Sequence, residues 1–299
     1  MHIYKVSKME QDFISSYFEN ISKMEINKES IDLAKRSILS VMPGLSKLRE
    51  DLDNGFGVIK FESLPIGDAK EFSPPQNGIK PEDKSNFSEL VLLGVTSALG
   101  LNPFSYQNEK NGALVHEIVP IMGMEKSISS NGIDSFDFHT DGAYLERHMR
   151  PHALSLLCLS NESNTPTNIV NLEQCLDKLN EKDIDLLSKR LFIHHAPETF
   201  SVKNGVCHSS VVDRVDGKYE VKGAMHNTKA INEEANESLL KLSSLTSKYK
   251  IESNWNAGDL VVFSNLRVLH GRGKISGKRW LQRCYSSFSH NAADVITLK

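Results

Sequence analysis

Little in these 299 residues is one-sided, and each shortage excludes something. There are only four cysteines, at positions 158, 175, 207 and 284. They lack the close pairing of a zinc site or a disulfide framework, so isolated reduced thiols are expected. No apolar run reaches the ~20 residues of a membrane-spanning helix. The first residues, with Lys5, Lys8, Glu10 and Asp12, offer no apolar signal core, and a cytoplasmic protein is expected. A formal net charge of -3 gives no electrostatic reason to bind nucleic acid or an anionic membrane, which leaves small molecules as the expected partners. No internal repeat is present, and the sequence leaves the oligomeric state open.

What is present is a dispersed set of metal-ligand residue types. His139-Thr140-Asp141 would place an imidazole and a carboxylate on one side of a β-strand, with Thr140 turned away. A second histidine, His270, follows Gly258-Asp259 and the apolar run Leu260-Val261-Val262-Phe263, read as a buried strand delivering His270 at its far end. Two histidines and one carboxylate with open positions are the donor set of a non-haem Fe(II) oxygenase. Taken singly, a strand histidine is more often a structural group, so the weight falls on the combination.

Three protein ligands leave room for a chelating 2-oxo acid and for O2. The distal carboxylate of such an acid needs a buried cation, preferably a forked guanidinium. Arg279 and Arg283 lie shortly after His270, four residues apart, and would share a face of a strand backed by Trp280 and Leu281. The competing reading makes them exposed salt-bridge partners.

Several segments in order carry a family resemblance: Gly57-Val58-Ile59-Lys60-Phe61, Leu114-Val115-His116-Glu117-Ile118-Val119-Pro120, Phe138-His139-Thr140-Asp141, Arg150-Pro151 with Leu156-Leu157-Cys158-Leu159, and Leu269-His270-Gly271-Arg272 with Arg279-Trp280-Leu281-Gln282-Arg283. Over roughly residues 55 to 290 the chain resembles the Fe(II)/2-oxoglutarate dioxygenases of the clavaminate synthase-like and taurine dioxygenase-like group. The resemblance implies iron ligation by His139, Asp141 and His270, with 2-oxoglutarate as co-substrate alongside O2. Arg279 and Thr167 would hold the distal carboxylate of 2-oxoglutarate. Arg283 would hold a substrate carboxylate, with His116 and Glu117 as polar substrate contacts. The implied reaction is hydroxylation of an unactivated C–H bond of a free amino acid or a small amino-acid derivative, with release of succinate and CO2. Asp141 stands where a halogenase would have a small non-ligating residue, which argues against halogenation.

The implied fold is α+β, a double-stranded β-helix (jelly roll) with flanking helices. It would form one domain over 1–299, with 1–54 a helical N-terminal extension and 55–299 the core. Stripes at helical spacing, Phe13, Ile14, Tyr17, Phe18 and Ile21, then Ile31, Ala34, Ile38 and Val41, predict two helices before Pro43-Gly44. Phe87, Leu90, Val91, Gly94, Val95 and Ala98 predict a central helix that ends near Gly100 and lies across the outside of the main sheet, 72–86 predict an exposed loop, and 172–190 and 233–248 further helices. Short strands are expected around Phe192, Val211 and Tyr219, while the loops after Asp141 and around 199–230 are candidates for a lid. His194 and His195, adjacent on a strand, face opposite ways and are expected to be structural or surface residues. Other readings of the same residues are desaturation or cyclisation by the same site, a zinc-dependent hydrolase, or a non-catalytic jelly-roll binding module.

Overall fold

The computed structural model describes residues 1–197, 200–203, 205–223 and 225–298. It opens with a strand that the helical stripes do not announce, β1 (His2–Lys5), followed by α1 (Lys8–Ile21), α2 (Lys28–Val41) and α3 (Leu45–Asp53). Ser7 starts α1 with a capping box, its side chain accepting from the Glu10 amide while the Glu10 carboxylate accepts from the Ser7 amide. Ile14, Phe18, Ile31, Ala34 and Ile38 are fully buried, whereas Phe13 is 40 % exposed, so the inward stripe of α1 is narrower than expected. After β2 (Val58–Glu62), α4 (Phe87–Ala98) is buried along its whole length. Helix α2 crosses it where a methyl group on Gly94 would meet the Ala34 Cβ at 3.0 Å, so Gly94 permits the close approach. Within 72–86, Lys84 is not exposed: its ammonium is buried against the Glu89 carboxylate at 2.7 and 2.8 Å.

The chain continues through β3 (Asn102–Tyr106), β4 (His116–Ile118), β5 (Phe136–His139), β6 (Ala153–Asn161) and β7 (Thr167–Asn171). The expected helix at 172–190 is split into α5 (Leu172–Leu176), which ends at Asp177, and α6 (Glu181–Leu187), which starts anew with Asn180 as its N-cap. Short strands follow: β8 (Phe192–His195), β9 (Val206–Ser209), β10 (Val212–Val215), β11 (Lys218–Val221) and β12 (Thr228–Ala230). Helix α7 (Glu233–Tyr249) then leads to β13 (Ile251–Ser253), β14 (Leu260–Ser264), β15 (Val268–Arg272), β16 (Arg279–Ser287) and β17 (Asp294–Ile296).

Two sheets frame the centre. The larger runs β1-β2-β14-β6-β16-β3-β17, with β4 also on β16, and the smaller runs β13-β7-β15-β5. Alternation on each strand sorts the side chains into layers. Leu154 and Leu156 on β6, Val261 and Phe263 on β14, and Leu281 and Tyr285 on β16 meet Ile169 and Val268 of the smaller sheet in one core. Their neighbours Leu157, Leu260, Val262 and Trp280 face the other way, into the layer with α1, α2 and α4. Val170 and Leu269 face outward from the smaller sheet onto Leu239 and Leu242 of α7. No helix among the described residues is long and apolar enough to cross a membrane.

Phe18 packs its ring 5.8 Å from that of Phe87, tying α1 to the central helix. Phe18→Ala is expected to lower the unfolding free energy by about 3–5 kcal/mol, read from urea denaturation, because it empties a fully buried aromatic site.

Candidate active site

His139 and His270 come from neighbouring strands. They are directly opposed in the β5–β15 ladder, which places their rings 4.1 Å apart, centroid to centroid. Strand β5 ends at His139, so Asp141 reaches the pair from the turn beyond and not from the ladder that the spacing suggested. Its Oδ1 lies 3.3 Å from His139 Nε2 and 3.5 Å from His270 Nε2. The run Leu260–Phe263 belongs to β14 in the larger sheet, and His270 sits in the middle of the next strand, on the smaller one.

The three side chains suit a divalent metal. One donor atom from each falls within 4.8 Å of the others, and all three residues are buried. His139 Nδ1 donates to the Asp137 carbonyl at 2.8 Å, which leaves the Nε2 lone pair turned inward. Burial, together with His139, pushes the His270 imidazole down to about 3, so it is neutral at ordinary pH. For Asp141 burial works against ionisation, yet Arg283 and the two histidines hold its carboxyl far below the usual range. The His270 and His139 rings beside the Asp141 carboxylate form the donor set of a 2-His-1-carboxylate centre.

Strand alternation delivers both arginines to the same cleft, which is lined by Arg279, Leu281, Arg283 and Tyr285. Arg279 is 4 % exposed and has no carboxylate partner among the described residues; its Nη2 donates to Thr167 Oγ1 at 3.0 Å. Its Nε–H has no acceptor, and burial brings its pKa down to about 10. Arg283 is differently placed. Nη1 donates to Asp141 Oδ2 at 2.8 Å, and Nη2 to Glu109 Oε1 at 2.8 Å and His116 Nδ1 at 2.9 Å.

The two polar contacts expected from β4 separate. His116 lies opposite Arg283 in the ladder and Glu117 opposite Gln282, so the two point to opposite faces. His116 stands behind Arg283, its Nε2 3.0 Å from the Ala113 carbonyl, and does not line the cleft. Glu117 lies on the helix side, accepting from Trp280 Nε1 and from Gln282 Nε2. The substrate role expected of Glu117 is therefore corrected: the sheet itself stands between its carboxylate and the cleft.

Other residues complete the walls without a sequence signal. Glu109 lines the cleft, buried, with Oε2 lacking a hydrogen-bond partner, and burial raises its carboxyl against the pull of Arg283. His195 lines the cleft while its neighbour His194 bonds the Thr228 hydroxyl and the Ser210 carbonyl, so opposite orientation holds but His195 is no mere surface residue. His226 packs 5.1 Å from Phe136, beside His139. Arg272 gathers carbonyls of the loop at the mouth, including Ser129 at 3.2 Å and Asp134 at 2.6 Å. Both expected lid loops supply wall residues, Tyr144 from one and Phe200 with His226 from the other, although Glu198, Thr199, Asn204 and Ala224 lie outside the described residues.

Comparison with known proteins agrees with this geometry. The family model described as "Taurine catabolism dioxygenase TauD, TfdA family" matches residues 23–285. An L-asparagine oxygenase of Streptomyces coelicolor is 28 % identical over 257 residues, covering 80 % of this chain and 75 % of the relative. An enduracididine beta-hydroxylase of Streptomyces hygroscopicus is 21 % identical, covering 91 % and 88 %. Among solved structures, an asparagine oxygenase in complex with Fe(II), 2S,3S-3-hydroxyasparagine and succinate superposes with a TM-score of 0.87 at 20 % identity, over 100 % of both chains. The last likeness establishes a shared fold.

Proposed function

Because the chain belongs to the TauD/TfdA dioxygenase family, we propose that it is an Fe(II)- and 2-oxoglutarate-dependent hydroxylase of a free amino acid or a small amino-acid derivative. The observation that carries this reading is Arg279, a guanidinium buried in the metal cleft with a threonine hydroxyl for company and no counter-ion among the described residues. A buried unpaired cation is costly unless an anionic ligand completes it. The distal carboxylate of 2-oxoglutarate is such a ligand, and Thr167 adds a hydroxyl beside it. A zinc hydrolase or a non-catalytic module would leave Arg279 without a purpose. The two facing sheets support the jelly-roll reading of the core, with 1–299 as one domain, although β1 joins the first residues to the larger sheet.

Iron held by His139, Asp141 and His270 would supply O2 activation coupled to oxidative decarboxylation of 2-oxoglutarate to succinate and CO2, one oxygen atom passing to a substrate C–H bond. The remaining work falls to this chain's own side chains. Glu109 Oε2 would accept from a substrate ammonium, and Arg283, whose Nε–H has no acceptor, would donate to a substrate carboxylate. Leu156, Ile118 and Leu281 form an apolar flank that keeps water away.

The polar lining of the cleft favours a substrate with a neutral, hydrogen-bonding side chain. It includes Ser129, Ser130, His195, His226 and Asn227, and the carboxylates among the described lining residues, Glu109 and Asp141, are both bonded to Arg283. A carboxamide side chain, as in the substrate named for the Streptomyces coelicolor relative, suits this lining better than a guanidinium. The test is succinate formation by anaerobically purified protein given Fe(II), 2-oxoglutarate and O2, across a panel of free amino acids. Substrate-stimulated succinate with a product gaining one oxygen atom is expected, largest for a neutral side chain. No succinate with any member, and no change in Fe(II) absorption on adding 2-oxoglutarate, would overturn the assignment.

A further inference from the structure

Asp141 is the one ligand without a strand to hold it, and its main chain is instead gripped by a single side chain. Its amide N–H donates to Asn265 Oδ1 at 2.8 Å, and its carbonyl accepts from Asn265 Nδ2 at 2.9 Å. The second Nδ2 proton goes to the Pro151 carbonyl at 2.9 Å, on the far side of the loop that follows Asp141. Asn265 is wholly buried, and these three bonds admit one orientation of its carboxamide: the oxygen must face the N–H and the nitrogen the two carbonyls. The residue sits in the turn between β14 and β15, the strand that carries His270.

We infer that Asn265 is the positioning residue of the metal centre, fixing the Asp141 backbone so that Oδ1 stays opposite the two histidines. The turn that carries the chain from β14 in the larger sheet to β15 in the smaller one then delivers the second imidazole and sets the carboxylate ligand against it, so the geometry of the three donors is tied to one turn. Arg283 completes the hold at the outer oxygen, Asp141 Oδ2. The inference rests on the metal reading of the triad, and it needs no particular substrate.

The test is titration of the full-length, metal-free protein with Mn(II) and with Co(II) alone, without 2-oxoglutarate or turnover. Asn265→Ala and Asn265→Asp are made in the wild-type and in an Asp141→Ala background. Asn265→Asp keeps the shape and the acceptor while losing both donors. In the wild-type background each is expected to weaken metal binding about 10- to 100-fold, the usual effect of losing a group that orients a ligand. In the Asp141→Ala background the same changes should leave the residual affinity within about twofold, the scatter of independent sites. A loss of equal size in both backgrounds, or an unchanged affinity in the wild-type background, would overturn the inference, as would failure of both variants to fold. If the unmodified protein binds neither metal, the metal reading itself falls, and that outcome is distinct.

Discussion

His270→Ala is expected to weaken metal binding by more than about 100-fold and to abolish turnover with it. The donor set holds three groups, and the loss of one costs more than the roughly 100-fold that an outer-shell change brings. The variant should still fold. Asp141 keeps its bonds to Arg283 and Asn265, and His139 keeps its bond to the Asp137 carbonyl, so no buried charge is stranded. Titration with Mn(II) beside a thermal melt separates the two effects: lost affinity with a melt within a few degrees supports ligation, and near-normal affinity sinks the triad. His139→Ala should behave alike, since the two imidazoles face the same carboxylate oxygen from opposed strands.

The residues of the triad were legible in the sequence, but the reasons for their placement were only partly so. The two-residue spacing of His139 and Asp141 suggested a shared strand face, whereas the strand stops at His139 and an asparagine 124 residues away holds the aspartate. His270 was expected at the end of the run Leu260–Phe263. That run is a strand of the larger sheet, and the chain turns through Asn265 before His270 joins the smaller one. Period-two alternation placed Arg279 and Arg283 together because both lie on one strand. It could not decide between His116 and Glu117, since the facing of β4 is set by its register on β16, a long-range property. Glu109 carried no local signal at all. It comes from a turn after β3 and meets Arg283 across 174 residues of sequence.

The helices follow the same division. Apolar spacing located α1, α2 and α4 because α4 is buried between the larger sheet and the first two helices, which pack a face on it, and hydrophobic periodicity reports burial. The strand β1 was missed: its burial alternates between exposed and half-buried, so composition gave it no apolar face to reveal.

Arg279→Ala is expected to act on 2-oxoglutarate and to leave the metal alone. The guanidinium touches none of the three ligands, so Mn(II) affinity should stay within about twofold of the unmodified protein. Removing one partner of a buried, hydrogen-bonded charge pair costs about 2–5 kcal/mol, which corresponds to a rise in the dissociation constant of 2-oxoglutarate of roughly 30- to several thousand-fold. Arg279→Lys should recover part of this, because a single ammonium restores charge without the planar fork. Thr167→Ala removes one hydroxyl 3.0 Å from Nη2 and should cost about 1 kcal/mol, several-fold in affinity. A sharper comparison uses a short 2-oxo acid with no distal carboxylate. The unmodified protein should prefer 2-oxoglutarate strongly, and Arg279→Ala should bring the two close to parity, since the group that distinguishes them is gone. If Arg279→Ala binds 2-oxoglutarate as before and Arg283→Ala does not, the distal carboxylate belongs with Arg283. A forked grip by that arginine would exchange its Nη1 bond to Asp141 for one to the co-substrate, and metal affinity would be expected to fall with it.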